Sequence, residues 1–63
     1  MEERVKELFA RAAYHNIKQY QIAQEGRFRQ AKISDWRLGR TVPSEEEIVR
    51  AEATLDRLIE AKK

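Results

Sequence analysis

Six cations fall between Lys18 and Pro43, at Lys18, Arg27, Arg29, Lys32, Arg37 and Arg40, and only Glu25 and Asp35 oppose them. Arg and Lys at that density form a local positive field and donate charge-assisted hydrogen bonds, the chemistry that meets phosphates. Among them in "RQAKISDWRLGR", Arg29 to Arg40, lie an amide, a hydroxyl and an acid, Gln30, Ser34 and Asp35. These carry the acceptors that cations lack. The basic excess is local: Met1 to Pro43 holds nine Lys/Arg against five Asp/Glu, 9 − 5 = +4, and Ser44 to Lys63 holds four against six, 4 − 6 = −2. Other chemistry has little to stand on. With one His and no Cys, disulfides, cysteine nucleophiles and the usual zinc spacings are excluded, and no Gly-rich phosphate loop or paired carboxylates suggest a catalytic cleft. No enzyme, cofactor, metal or small-molecule ligand is expected, and His15 reads as a surface or capping residue.

The elements that position these groups follow from periodicity. A composition rich in Ala, Glu, Arg, Lys, Gln, Ile and Leu predicts an all-helical chain of 63 residues in one domain, 1–63. Val5, Leu8, Phe9 and Ala12 repeat at helical spacing and predict a first helix over about 2–14. Asn16 tolerates the left-handed conformation that closes a helix, and Ile17 returns to the core. "KQYQIAQE" predicts a second helix over about 18–25 with Ile22 and Ala23 inward. Gly26 breaks it, Phe28 is apolar again, and a third helix over about 30–38 ends at Gly39. Ser44 with Glu47 three positions on forms a capping box, and Glu45, Glu46 and Glu47 suit the positive end of a helix dipole. Ile48, Ala51, Leu55, Leu58 and Ile59 continue the stripe, so a single helix is expected over about 44–61.

Two short helices followed by an Ile-x-x-Trp-x-x-Gly spacing are the grammar of a helix-turn-helix, in which one helix braces and the next enters the major groove. Residues 17–44, "IKQYQIAQEGRFRQAKISDWRLGRTVPS", resemble the lambda-repressor and Cro-like (XRE-type) DNA-binding domain. The resemblance rests on Gln19 opening the second helix, the Ile22-Ala23 pair, Phe28 in the turn, Ile33-Ser34, Trp36, Gly39 and Pro43-Ser44. It implies a compact domain of that type, usually of five helices; with this chain's own unbroken last segment, four to five helices with a long C-terminal one are expected. It also places Arg29, Gln30, Ala31, Ser34 and Asp35 where relatives touch base edges, and Gln19 where they hold a phosphate. This chain departs from the pattern at three points. Relatives have Gly four residues after the Ala, where Arg27 stands here, so a reshaped turn is expected. They have an acid after the Trp, where Arg37 stands here. Their last segment is broken, and Ser44 to Lys63 contains no Gly, Pro or Asn to break it.

On a helical wheel Ile33 and Trp36 mark the buried side of the third helix, and Gln30, Ala31, Ser34, Asp35 and Leu38 point away. Gln30 suits adenine, Ala31 a thymine methyl, Ser34 either kind of partner and Asp35 a cytosine amino group. Lys18, Arg27, Lys32, Arg37 and Arg40 are candidates for phosphate contacts, which hold register without reading sequence. Plainer readings stand beside these. Trp36 at helical spacing from Ile33 is a core residue, and the cations could form a merely solvated face. Asp35 either reads a base or pairs with Lys32 or another cation, and Leu38 either meets a thymine methyl or packs under the next loop.

So small a core gains from burial between copies, and a two-fold homodimer through Leu55, Leu58 and Ile59 is expected. The expected function is a sequence-specific double-stranded DNA-binding transcriptional regulator, of the phage or mobile-element repressor kind, on a pseudo-palindromic operator. The alternative is a protein-interaction module on the same fold, an antitoxin or inhibitor that docks a protein partner through the acidic last helix. No apolar run approaches the ~20 residues of a membrane span, and "MEERVKE" lacks the order of a signal peptide, so a cytoplasmic location is expected.

Overall fold

Four helices follow one another in the computed structural model, which describes residues 3–62: α1 (Glu3–Tyr14), α2 (Gln19–Gly26), α3 (Gln30–Leu38) and α4 (Glu45–Ala61). No strand occurs among the described residues. Four is the lower of the two helix counts expected, because the C-terminal segment forms one uninterrupted helix of 17 residues. The expected start of α1 at Glu2 lies outside the described residues.

The helix starts are set locally. Lys18 was expected inside α2, but it takes extended φ/ψ of −81°/153° and stands just before the helix. Its backbone N–H donates to Gln21 Oε1 at 2.7 Å, which satisfies one donor that the first turn would leave unpaired. Ser44 likewise sits outside α4. Glu47 N–H donates to Ser44 Oγ at 3.2 Å and Ser44 N–H donates to Glu47 Oε1 at 2.9 Å, so the capping box closes in both directions.

The first three helices all end the same way. Asn16, Arg27 and Gly39 have left-handed φ of 58°, 59° and 78°, and after each the chain folds a backbone N–H back onto the helix it has left. Ile17 N–H reaches Ala12 O at 2.8 Å, Phe28 N–H reaches Ala23 O at 2.8 Å, and Arg40 N–H reaches Asp35 O at 2.9 Å. In the turn between α2 and α3, Gly26 remains helical and the left-handed position falls on Arg27, four residues after Ala23, so the expected reshaping of the turn is not seen and a residue with a side chain takes the strained conformation. A residue with a Cβ pays about 1–2 kcal/mol there.

Packing is organised by α4, which lies across α1 and α2, with α3 seated on α2 and α1. The core comprises Val5, Leu8, Ala12, Ile17, Ile22, Ala23, Phe28, Ile33, Trp36, Ile48, Ala51 and Leu55, with Phe9, Leu58 and Ile59 partly buried against it. Trp36 meets Phe28 edge-on, ring centroids 5.3 Å apart at 72°. Along the outside, Arg4 chelates Glu45 at 2.7 and 2.8 Å and reaches Glu52 at 2.8 Å, Arg11 pairs with Asp56, and Lys62 Nζ donates to His15 O at 2.9 Å. That order makes α1 and α4 run side by side in the same sense.

Leu55 requires a correction. It was expected at a dimer interface, yet its exposure is 0%, enclosed by its own chain's core, so it has no surface to offer a second copy. The apolar stripe of α4 is wide because it serves α1 and α2 together. Thr54, which the apolar pattern did not single out, is also fully buried, and its hydroxyl donates to Arg50 O at 2.8 Å. No described helix is long and apolar enough to cross a membrane.

Candidate nucleic-acid interface

Ile33 and Trp36, 0% and 2% exposed, fix the rotation of α3 about its own axis. The opposite side is then open: Gln30, Ala31 and Leu38 are exposed, while Ser34 and Asp35 are half-buried. Arg29 is exposed just before the helix, with extended φ/ψ of −71°/138°. Four of the five residues expected to meet base edges, Gln30, Ala31, Ser34 and Asp35, thus share a strip on the open side of the helix, while Arg29 precedes it and lines a concavity with Phe28 and Arg50. Ala31 and Leu38 give the strip apolar points; Gln30 and Ser34 give it donors and acceptors.

The two flanks of that strip differ. Toward α2, Arg37 Nε donates to Gln19 Oε1 at 2.8 Å and so braces the start of α2. Lys18 stands beside them, its Nζ 3.4 Å from Asn16 Oδ1. Toward α4, Lys32 pairs with Glu47 at 2.5 Å, both partly exposed. The Lys32 ammonium, followed by the Ser44 backbone N–H, lowers the Glu47 carboxyl to a pKa of about 2. At the end of α3, Arg40 pairs with Asp35 at 3.3 Å.

These pairs sort the candidate cations. Lys32 and Arg40 have carboxylate partners within the chain, and Asp35 takes a cation other than the nearer-in-sequence Lys32. Arg27 and Arg29 make no ion pair or side-chain hydrogen bond with any described residue, and Arg37 is held by a neutral amide that leaves its charge uncompensated. The free positive charge is therefore concentrated at Lys18, Arg27, Arg29 and Arg37.

Two cations of this face lie outside the stretch singled out from the sequence. Arg50 of α4 lays its guanidinium over the Phe28 ring, 4.2 Å from the centroid, and Arg57, one heptad on, reaches Glu25 at 3.5 Å. Their spacing places them on one side of α4, a signal present in the sequence. The acidic total of that helix hid it. Arg27, Phe28, Arg29, Lys32 and Arg50 line a concavity of about 290 Å³. A larger, mainly apolar groove of about 570 Å³ lies where α1 meets α2, walled in part by Phe9, Ala13, Ile17 and Tyr20.

Comparison with protein-family models, curated proteins and solved structures returns no match for this chain. Among the described residues no group of three or more His, Cys, Asp or Glu is placed to hold a metal ion. His15, half-buried at the end of α1, packs edge-on to Tyr14 with ring centroids 5.0 Å apart. What the exposed strip of α3 offers is hydrogen bonding and apolar contact between two cationic margins.

Proposed function

We propose that this chain is a sequence-specific double-stranded DNA-binding regulator of transcription, with α2 and α3 acting as a helix-turn-helix of lambda-repressor and Cro-like type. The observation that carries the reading is the two-sidedness of α3. One side is sealed by Ile33 and Trp36, and the other presents Gln30, Ala31, Ser34 and Asp35 with cations to either side. In a major groove, that strip faces base edges while the margins face the two backbones. The protein acts in the cytoplasm as a small repressor of the phage or mobile-element kind, and two copies related by a two-fold axis meet a pseudo-palindromic site. Leu58 and Ile59, which keep part of their surface exposed, replace Leu55 at the centre of that contact.

Selection of bound sequences from a random duplex pool tests this directly. An inverted-repeat consensus is expected. Gln30→Ala should then relax preference at one base pair per half-site, by about 1–3 kcal/mol, whereas Arg37→Ala should weaken every duplex alike. Failure to enrich any sequence, or identical behaviour of the two variants on specific and random duplexes, refutes the assignment.

The second reading, a module that docks a protein through its acidic last helix, finds less support. Glu45, Glu52 and Asp56 are committed to Arg4 and Arg11, and Glu47 to Lys32. The acids of α4 are largely spent on holding the fold.

A further inference from the structure

We infer that the concavity over Phe28 is a phosphate seat for the DNA strand on the α4 side of α3, and that Arg50 is one of its binding residues. This rests on the DNA-binding reading above and extends it to α4, which that reading uses only for the contact between copies.

Four cations from three segments converge there: Arg27 from the turn, Arg29 and Lys32 from the start of α3, and Arg50 from α4, so that Arg29 is assigned to phosphate and not to the base edge that the resemblance implies. Only Lys32 has a carboxylate, Glu47. Glu25, the other acid nearby, is taken by Arg57. Arg27, Arg29 and Arg50 make no ion pair or side-chain hydrogen bond with any described residue, so three guanidinium groups stand together without a counter-charge. Arg50 is held by the Phe28 ring at 4.2 Å, and Phe28 in turn by Trp36. A ring holds a guanidinium through its face and leaves the in-plane N–H donors unused. Those donors form a fork that matches two oxygens of one phosphate.

Arg27 adds an argument of its own. It adopts a left-handed φ of 59° that a glycine would adopt without strain. Repulsion among three cations and a strained backbone under one of them both disfavour the folded chain. A bound anion offsets the first and gives the second a use. The seat also lies on the flank of α3 opposite the Arg37 and Gln19 pair, where the second backbone of a major groove runs.

The test uses the full chain and a duplex enriched from the random pool, with affinity measured from 50 to 200 mM salt. Arg50→Gln and Arg29→Gln should each weaken selected and random duplexes by the same factor, about tenfold, and lower the slope of log K against log salt by about 0.9. Urea unfolding of each variant is measured alongside, and Arg29→Gln, which touches no core ring, guards against a loss that comes from misfolding. An unchanged slope in either variant, while the wild type still selects its sequence and Gln30→Ala still alters it, overturns the seat and leaves the DNA reading standing. Absence of salt-dependent duplex binding by the wild type overturns both. If inorganic phosphate shifts the Arg27, Arg29 and Arg50 side-chain NMR signals but the substitutions leave duplex binding intact, the site belongs to free phosphate and the assignment to DNA is wrong.

Discussion

Replacing Gly26 by Ala tests whether the turn is packed as tightly as its geometry implies. Ala normally stabilises a helical position relative to Gly by about 0.5–1 kcal/mol. Here a Cβ on residue 26 would stand 2.6 Å from Phe28 Cε2, 2.8 Å from Phe28 Cδ2 and 2.9 Å from Thr54 Oγ1. None of these atoms can retreat cheaply. The Phe28 ring has Trp36 against it at 5.3 Å and the Arg50 guanidinium over its face at 4.2 Å. Thr54 is fully buried and tied to Arg50 O. Relief requires the ring and α4 to move, an overpacking cost of about 1–3 kcal/mol. Set against the helix gain, the net loss is about 1 kcal/mol, which for a chain this short lowers Tm by roughly 4–8 °C. Urea unfolding and a thermal melt followed by circular dichroism measure it. A Gly26→Ala variant as stable as the wild type, or more so, would refute the claim that this turn has no room for a methyl group.

Two further predictions use the same region. Arg27→Gly removes the left-handed strain of about 1–2 kcal/mol at an unfolded-state entropy cost of about 0.4–1 kcal/mol, so urea unfolding should show a gain of roughly 0.5–1 kcal/mol. The same variant should bind duplex DNA more weakly, with stability and affinity moving in opposite directions; a fall in stability contradicts the strain argument. Glu47, with its pKa lowered from 4.5 to about 2, contributes stability that is present above pH ~4.5 and is lost as pH falls through about 2. Glu47→Gln should flatten the acid side of the stability profile in that window, and an unchanged profile would show that the pair with Lys32 does not persist in solution.

Much of the fold is legible in the sequence because its signals are local. The Val5, Leu8, Ala12 spacing, the Ser44 and Glu47 box, and the Asn16 and Gly39 ends each involve residues within one or two turns of helix. The α3 strip was legible for the same reason, since Ile33 and Trp36 alone set which side faces out. Residue type makes Lys32 and Arg40 candidates for phosphate and leaves Asp35 open between a base and a cation; their partners in the fold change what they offer. Lys32 is matched by Glu47, fifteen positions away, and Asp35 by Arg40.

What the amino-acid order determined by itself is therefore where each helix runs and which side of α3 is sealed, because hydrophobic spacing and caps act over a few residues. The tertiary structure decided the rest. Leu55 is interior because one stripe of α4 must cover α1 and α2 at once, and Arg27 is left-handed because Gly26 must fit beneath Phe28 and Thr54. Arg50 joins a cationic seat because the path of α4 lays it over a ring 22 positions earlier in the chain. Periodicity states that Glu47, Arg50, Thr54 and Arg57 share a side of α4, but only helix packing states what that side faces.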